Sequence, residues 1–452
     1  MQTVAAVRPR RTLALPGPTG WFAALVAVSG LALFAWPGRS WTAFFVVEAV
    51  LVALFVCDAI ACAPPHVVVV ERRVSETLRV GDTAEIAWLI DNTAARSLDV
   101  VVTDALWPSL AATKRMSRLS LPPSARVRTR AEITPSRRGR FPLDEMTVRV
   151  TGPLRMVFRQ ARRDVRAVIR VMPAYPSRDK VRRRTRVPRL PDVGIRSIRT
   201  PGGGTEFDQL RDYRAGDDFR HVDWSSTMRL QRPIVRQHRT ERNQNVIALL
   251  DNGRLMAASV GTVARVEHAM DAVLGVTEAC IHMGDRVGLV TFDRQVRTVL
   301  PPSASRSRLG QVAEAMYLLE PDLAESAYTA AFSLAASRFR RRSLYVVLTD
   351  LAESTVEQSL EPALRILVRT HLVVVGAVQD PVVASWARDA KSETRWPSEV
   401  FRSAAAVAAL QQRQRAAARL RSAGAIVVDS EPGRLAVDLV DTYLTLKATG
   451  RL

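Results

Sequence analysis

The sequence predicts an α/β fold. It is a parallel sheet with helices on both faces, preceded by a small β-sandwich and an N-terminal transmembrane helical hairpin. Three observations point there. From Asn245 onward, short apolar runs alternate with longer stretches whose apolar residues recur every three or four positions. Between residues 64 and 172, apolar residues fall at every second position and turn residues recur at regular intervals. Between Trp21 and Ala63, two apolar runs flank a four-residue turn, and each is close to the roughly 20 residues that cross a bilayer.

Residues 1–20 are a basic N-terminus carrying Arg8, Arg10 and Arg11. Residues 21–63 read as the hairpin, Trp21–Trp36 and Trp41–Ala63 around Pro37-Gly38-Arg39-Ser40. Trp21, Trp36 and Trp41 stand at the ends, where interfacial aromatics belong. Arg8–Arg11 before the hairpin and Arg72/Arg73 after it, against Arg39 alone in the turn, place both flanks in the cytoplasm. The expected location is the cell membrane, multi-pass, with the soluble bulk in the cytoplasm. A cleaved signal sequence is the plainer alternative; the second apolar run and the lack of an A-x-A site argue against it. Glu48 lies mid-span, where a carboxyl is expensive; it faces a neighbouring helix or a partner or, protonated, its own hairpin mate.

Residues 64–172 form the sandwich, with strand runs His66–Val70, Ala84–Ile90, Leu98–Val102, Val127–Ile133 and Met146–Val150. They hold no catalytic constellation, so a structural or docking role is expected. Residues 173–203 are a basic linker with Arg178, Lys180, Arg182, Arg183, Arg184, Arg186, Arg189, Arg196 and Arg199. It reads either as a patch for membrane lipids or as a solvated linker. No aromatic residues interleave with it, so nucleic acid finds no stacking platform.

Residues 204–244 interleave Asp with Arg. The charges alternate too closely to form one electrostatic patch. They suit mutual salt bridges and turn caps with Tyr213 and Trp224 packed below, or a rigid platform for a partner. Residues 245–452 are the α/β domain. Strand runs are Val246–Leu250, Val287–Phe292, Leu344–Leu348, Leu372–Val375 and Ile426–Val428. Helices are expected over Leu255–Met283, Ser303–Leu319, Ala327–Phe339, Glu353–Val368, Ser398–Ala423 and Pro432–Leu446.

The formal net charge is +21, from 65 Lys plus Arg against 44 Asp plus Glu. That favours anionic partners without choosing among them. Cys57, Cys62 and Cys280 give neither a disulfide framework nor zinc spacing. Gly202–Gly204 lacks the Lys-Ser/Thr of a phosphate loop, so no ATPase is recognisable. Asp251 closes the first apolar run, but a carboxylate nucleophile of the haloacid dehalogenase kind needs an acid two residues on, where Gly253 stands.

The tract Arg211, Tyr213, Gly216, Asp217, Asp218, Arg220, Val222, Asp223, Trp224 resembles the core signature of the domain of unknown function 58 family. The resemblance extends upstream over Thr134–Gln160, with Arg137-Arg138-Gly139-Arg140-Phe141 and Gly152-Pro153-Leu154, and downstream over Tyr443–Leu452. It implies a fold similar to the von Willebrand factor A domain after residue 245. It also implies a non-enzymatic adaptor working with a MoxR-type AAA+ ATPase. The partner-facing residues are then Asp217, Asp218, Arg220, Asp223, Trp224, Asp251 and Arg254. Domains of that class hold magnesium through D-x-S-x-S, a Thr and a second Asp. Here the first set becomes Asp251, Gly253 and Leu255, the Thr position falls on Ser326, and the second acid is Asp350. Both hydroxyls of the first set are gone. No cofactor is therefore expected. The alternative is a magnesium-dependent ligand-binding module on Asp251, Ser326 and Asp350. Without a metal, Asp251 is expected to cap a helix or pair with Arg254.

Overall fold

The computed structural model describes residues 2–3, 15–35, 41–186, 206–213, 222–239, 243–388 and 397–452. It divides into two compact units, Met1–Met172 and Pro173–Leu452.

The first unit begins with short strands β1 (Gln2–Thr3) and β2 (Pro16–Pro18), then helices α1 (Gly20–Ala35) and α2 (Trp41–Ala61). The helices run antiparallel: Phe22 stacks on Phe55 at 5.6 Å, and farther along Ser29 Oγ donates to Glu48 Oε1 at 3.0 Å. Glu48 thus faces its own hairpin mate. Among the described residues one apolar stretch, Phe44–Val67, is long enough to cross a bilayer. The apolar part of α1, Gly20–Ala32, is shorter. The expectation of two spans therefore narrows to one helix of sufficient length.

Eight strands follow: β3 (Val68–Val74), β4 (Thr77–Arg79), β5 (Ala84–Asn92), β6 (Leu98–Asp104), β7 (Met116–Leu121), β8 (Arg126–Ile133), β9 (Gly139–Thr151) and β10 (Val157–Met172). One sheet has the order β1-β3-β5-β8. The other has β2-β10-β9-β6-β7, with β4 also on β10. Their apolar alternate residues, among them Ile86, Ile90, Val100, Val148 and Ile169, form one buried core. Arg72, read from sequence as a charged flank, is instead inside this core at 1% exposure. Its guanidinium grips Asp104 and the carbonyls of Leu143 and Val165, and Asp104 also accepts from Trp88 Nε1 at 2.6 Å. The pair ties β3 and β5 of one sheet to β6, β9 and β10 of the other. Such a buried charge is tolerated because its hydrogen bonds are complete.

In the second unit, α3 (Arg178–Arg186) packs by Val181, at 0% exposure. Ser177 Oγ bonds Asp271 Oδ2 at 2.5 Å, and Arg182 Nε bonds Glu278 Oε1 at 2.5 Å. The first part of the basic stretch is thus a docked helix rather than a linker; one apolar residue in nine left no periodic signal. Residues 187–205 lie outside the described residues. Strands β11 (Glu206–Asp212) and β12 (Ile234–Arg239) pair antiparallel, with α4 (Trp224–Leu230) between them.

Strand β13 (Asn245–Asp251) leads to the short helix α5 (Arg254–Ala257), a ribbon β14 (Ser259–Val260) and β15 (Val263–Ala264), and helix α6 (Arg265–Met283). One long helix over 255–283 was expected. The β-branched residues Val260, Thr262 and Val263, around a turn at Gly261 with φ +63°, break it. Next come β16 (Arg286–Phe292), β17 (Val296–Ser303), α7 (Arg308–Met316), α8 (Tyr328–Arg338) and β18 (Ser343–Leu348). Helix α9 (Glu353–Thr355) runs through a π turn, Val356–Leu360, into α10 (Glu361–Val368). Then β19 (Leu372–Val378), α11 (Pro381–Arg388), α12 (Pro397–Ser422), β20 (Ile426–Ser430) and α13 (Leu435–Ala448) complete the chain.

The sheet order is β17-β16-β13-β18-β19-β20, parallel except for the antiparallel edge β17. That edge had no sequence expectation: Pro301 and Pro302 within Val296–Ser303 hid it. On one face, Ile247, Leu249, Phe292, Tyr345 and Val375 pack with α8, α10 and α12. Helices α6 and α13 meet closely at Gly275, where a Cβ would lie 3.3 Å from the Ala436 side chain.

Candidate functional site at the sheet rim

Strand β13 comes first in the sheet's sequence order yet lies in its middle. The chain builds outward from it through β16 and β17, then crosses back for β18, β19 and β20. The order reverses beside β13, and the carboxyl ends of β13 and β18 form the crevice where such sheets take ligands. Asp251 ends β13, Thr349 and Asp350 follow β18, and Ser326 and Tyr328 lie at the start of α8.

Asp251 is fully buried and both its oxygens are occupied. Oδ1 accepts from Ser326 Oγ at 2.5 Å and from the Gly253 N–H at 2.9 Å. Oδ2 accepts from Thr349 Oγ1 at 2.6 Å and Tyr328 OH at 2.8 Å. Burial pushes the carboxyl above its ordinary range. The hydrogen bonds from Ser326, Thr349, the Gly253 backbone and Tyr328 pull it back down. Burial, and the Asp251 charge beside it, hold the Tyr328 phenol well above its usual value. Gly253 is required here because a Cβ would collide with Ser326 Oγ. The position that carries a hydroxyl in the metal-binding pattern is bare, and Ser326 occupies its space.

Asp350 has a different set of partners. It accepts from Arg413 Nη1 at 2.7 Å and pairs with Arg265 Nη1 at 3.2 Å. Arg413, on α12, also clasps both oxygens of Asp429 at 2.8 Å and the Val378 carbonyl at 2.9 Å. One guanidinium thus joins the ends of β18, β19 and β20. Hydrogen bonds and charge from Asp429 and Asp350 outweigh its burial and keep it firmly protonated.

Arg254 does not pair with Asp251. It reaches the exposed Glu325 at 3.3 Å, an outward pair of little energetic weight. Beside it lies a cleft of about 60 Å³, lined by Arg254, Ser326, Tyr328, Ser354, Gln358 and Ser359 under the π turn.

These residues do not fit a divalent cation. Four donors already saturate Asp251, and two guanidiniums sit on Asp350. Among the described residues no group of three or more His, Cys, Asp and Glu is arranged to hold a metal.

The Asp/Arg tract is described only at its ends; Asp217, Asp218 and Arg220 lie outside the described residues. Asp223 caps α4, accepting from the Ser226 N–H at 3.1 Å and Ser225 Oγ at 2.8 Å. Trp224, expected to pack beneath the tract, is 64% exposed, and Met228, one turn on, is 80% exposed. Residues that sequence reasoning missed are Tyr328, Thr349, Arg265, Arg413 and Asp429. Asp429, closing an apolar run, carried the same signal as Asp251; Arg413 carried none.

Residues 209–398 match the family model described as Protein of unknown function DUF58. The DUF58 match takes in the Asp/Arg tract, Asp251, Ser326 and Asp350, and ends before Arg413 and Asp429. Similar proteins include Uncharacterized protein Rv1480 of Mycobacterium tuberculosis and Uncharacterized protein Mb1516 of Mycobacterium bovis. Each is 25% identical over 183 residues, which is 40% of this chain and 57% of theirs. The match thus spans little more than half the length of these relatives. Among solved structures, the conserved hypothetical protein BatB from Bacteroides thetaiotaomicron is 16% identical, with 46% of this chain and 99% of that one covered and a TM-score of 0.30. Proximal thread matrix protein 1 from the mussel byssus, with a zinc-occupied MIDAS motif, is 12% identical, with 46% of each chain covered and a TM-score of 0.26.

Proposed function

We propose that this chain is a membrane-anchored, non-enzymatic adaptor whose DUF58 domain, of von Willebrand factor A type, binds protein partners and works with a MoxR-type AAA+ ATPase. Helix α2 is the anchor, α1 lies against it, and the soluble bulk faces the cytoplasm. The reading is carried by the contrast at the rim and on α4. The crevice carboxylates are satisfied from within the chain, by hydroxyl hydrogen bonds at Asp251 and by guanidinium pairs at Asp350. Meanwhile Trp224 and Met228 offer apolar surface outward. Trp is among the residue types enriched at the energetic hot spots of protein interfaces, and a rim whose carboxylates are already satisfied keeps its shape without an added ion. The polar cleft beside Arg254 gives a partner a hydroxyl-lined foothold.

The test is co-purification from solubilised membranes with ATP bound. Recovery of an AAA+ ATPase with the native chain, and its loss with Trp224→Ala, is the expected result. Failure to recover any AAA+ ATPase would count heavily against the proposal.

A further inference from the structure

The turn between β9 and β10 holds the end of the hairpin. Asp58, in the last turn of α2, is fully buried. Its Oδ1 accepts the Leu154 N–H at 2.9 Å, and its Oδ2 accepts the N–H groups of Met156 and Val157, each at 2.9 Å. A carboxylate at a helix C-terminus opposes the helix dipole, so the three backbone donors account for its presence there. Gly152 makes room: a Cβ would lie 2.5 Å from both Asp58 oxygens. The start of α1 is tied to the same turn. Thr19 N–H donates to the Met156 carbonyl at 2.8 Å, Trp21 Nε1 donates to the Arg155 carbonyl at 2.8 Å, and β2 pairs with the start of β10. Arg159 Nη2 caps the Ala59 carbonyl at 3.0 Å. The sequence tract Gly152-Pro153-Leu154 thereby acquires a role.

The surface changes character at this clasp. Below it the outward residues of the helices are apolar, Leu25, Val28, Val52, Val56 and, last, Ile60 at 79% exposure. Level with it stand the half-exposed Trp21 and Leu154, at 49% each. Just beyond come Arg155, 72% exposed and paired with Asp99 at 2.9 Å, and Arg149, exposed and stacked 4.3 Å over Phe158. Apolar, then amphipathic aromatic, then guanidinium is the layering of a bilayer boundary.

We propose that the 152–159 turn is a lipid-contacting surface of the sandwich, with Leu154 immersed among headgroups and Arg149 and Arg155 on the phosphates of anionic phospholipids. The proposal rests on the reading of α2 as a membrane anchor. It adds that the sandwich sits against the bilayer rather than hanging from it. Asp58 fixes the depth of the turn, Leu154 and Trp21 occupy the interfacial layer, Arg155 exchanges its exposed Asp99 contact for lipid phosphate, and Arg149 does the same with its exposed Gln160 contact.

The experiment uses the full chain reconstituted in phosphatidylcholine vesicles with and without phosphatidylglycerol. Cys57 is exposed while Cys62 and Cys280 are buried, so Leu154→Cys in a Cys57→Ser background takes one environment-sensitive fluorophore. Met116→Cys, at the start of β7 remote from the turn and 45% exposed, is the aqueous control. The expected result is a blue-shifted emission at 154, quenched by spin-labelled lipid, with no shift at 116. The shift should be larger with phosphatidylglycerol and smaller in an Arg149→Gln, Arg155→Gln double variant. Vesicle-bound chain whose two positions emit alike would overturn the proposal and leave the anchor standing. A shift unchanged in the double variant would overturn the phosphate contact. Chain that does not float with vesicles at all would remove the anchor reading and this proposal with it.

Discussion

Arg413 Nη1 donates to Asp350 Oδ1 across 2.7 Å, and the same guanidinium holds both oxygens of Asp429. All three side chains are at most 15% exposed. Replacing Arg413 with Ala leaves two buried carboxylates short of a partner. The expected loss of stability is about 3–5 kcal/mol. Arg413→Lys should lose somewhat less, since an ammonium cannot span two carboxylates and the Val378 carbonyl in one plane. Thermal unfolding of the purified full chain in detergent measures both. A loss under about 1 kcal/mol, as for surface pairs, would show that the network is incidental.

Magnesium titrated into the native chain should give no binding heat by calorimetry. Gly253→Ser, which restores one hydroxyl of the metal-binding pattern, should not create a site. It should instead cost about 1–3 kcal/mol through overpacking, because the new Cβ meets Ser326 Oγ. Magnesium heat in either protein would reverse the interpretation of Asp251.

Trp224→Ala and Met228→Ala remove exposed side chains. Each should alter the unfolding midpoint by no more than about 0.5 kcal/mol of stability, while abolishing partner recovery in pull-downs. A large stability loss would instead place the indole in a packed site.

His268 and His371 are held below their ordinary value of 6.5 by burial, and His371 lies against Tyr345 at 4.9 Å. Between the depressed folded value and 6.5, the unfolded chain binds more protons than the folded one. Stability therefore rises with pH up to about 6.5, is level above it, and is lost as pH falls through the window. Denaturant midpoints at a series of pH values should show this slope, and His371→Gln should flatten it. An identical slope in the variant would assign the effect elsewhere.

Gly152→Ala pushes a methyl against Asp58 and should loosen the junction by about 1–3 kcal/mol. Faster proteolysis between α2 and β3 at fixed protease would report it; unchanged cleavage would argue that the turn simply shifts aside.

Much of the architecture was legible in the residues themselves. Alternating apolar runs marked β13, β16, β18, β19 and β20, because strands buried on both faces admit little else. Period-two runs marked the sandwich for the complementary reason. Local features that depend on one residue were not legible: the ribbon at Gly261, the π turn at Val356–Leu360, the proline-bearing edge β17, and the helix whose one buried apolar residue is Val181. At the rim, Asp251 and Asp350 could be found because each ends an apolar run. Their partners could not, since Tyr328, Thr349 and Arg413 come from distant segments and only folding brings them together. Arg72 shows the same limit from the other side: a charge beside a hydrophobic run looks like a flank, yet its hydrogen bonds place it in the core.

Between Ala61 and Val68 the chain has no slack. Cys62 and Ala63 are buried, and Pro64-Pro65 lead through one tight turn into the first long strand. With Asp58 held by the turn between β9 and β10, helix and sandwich are tied at two points. With α2 as the proposed anchor, a bilayer thicker or thinner than its apolar length would tilt it, and the same angle would then be imposed on the strands of the sandwich.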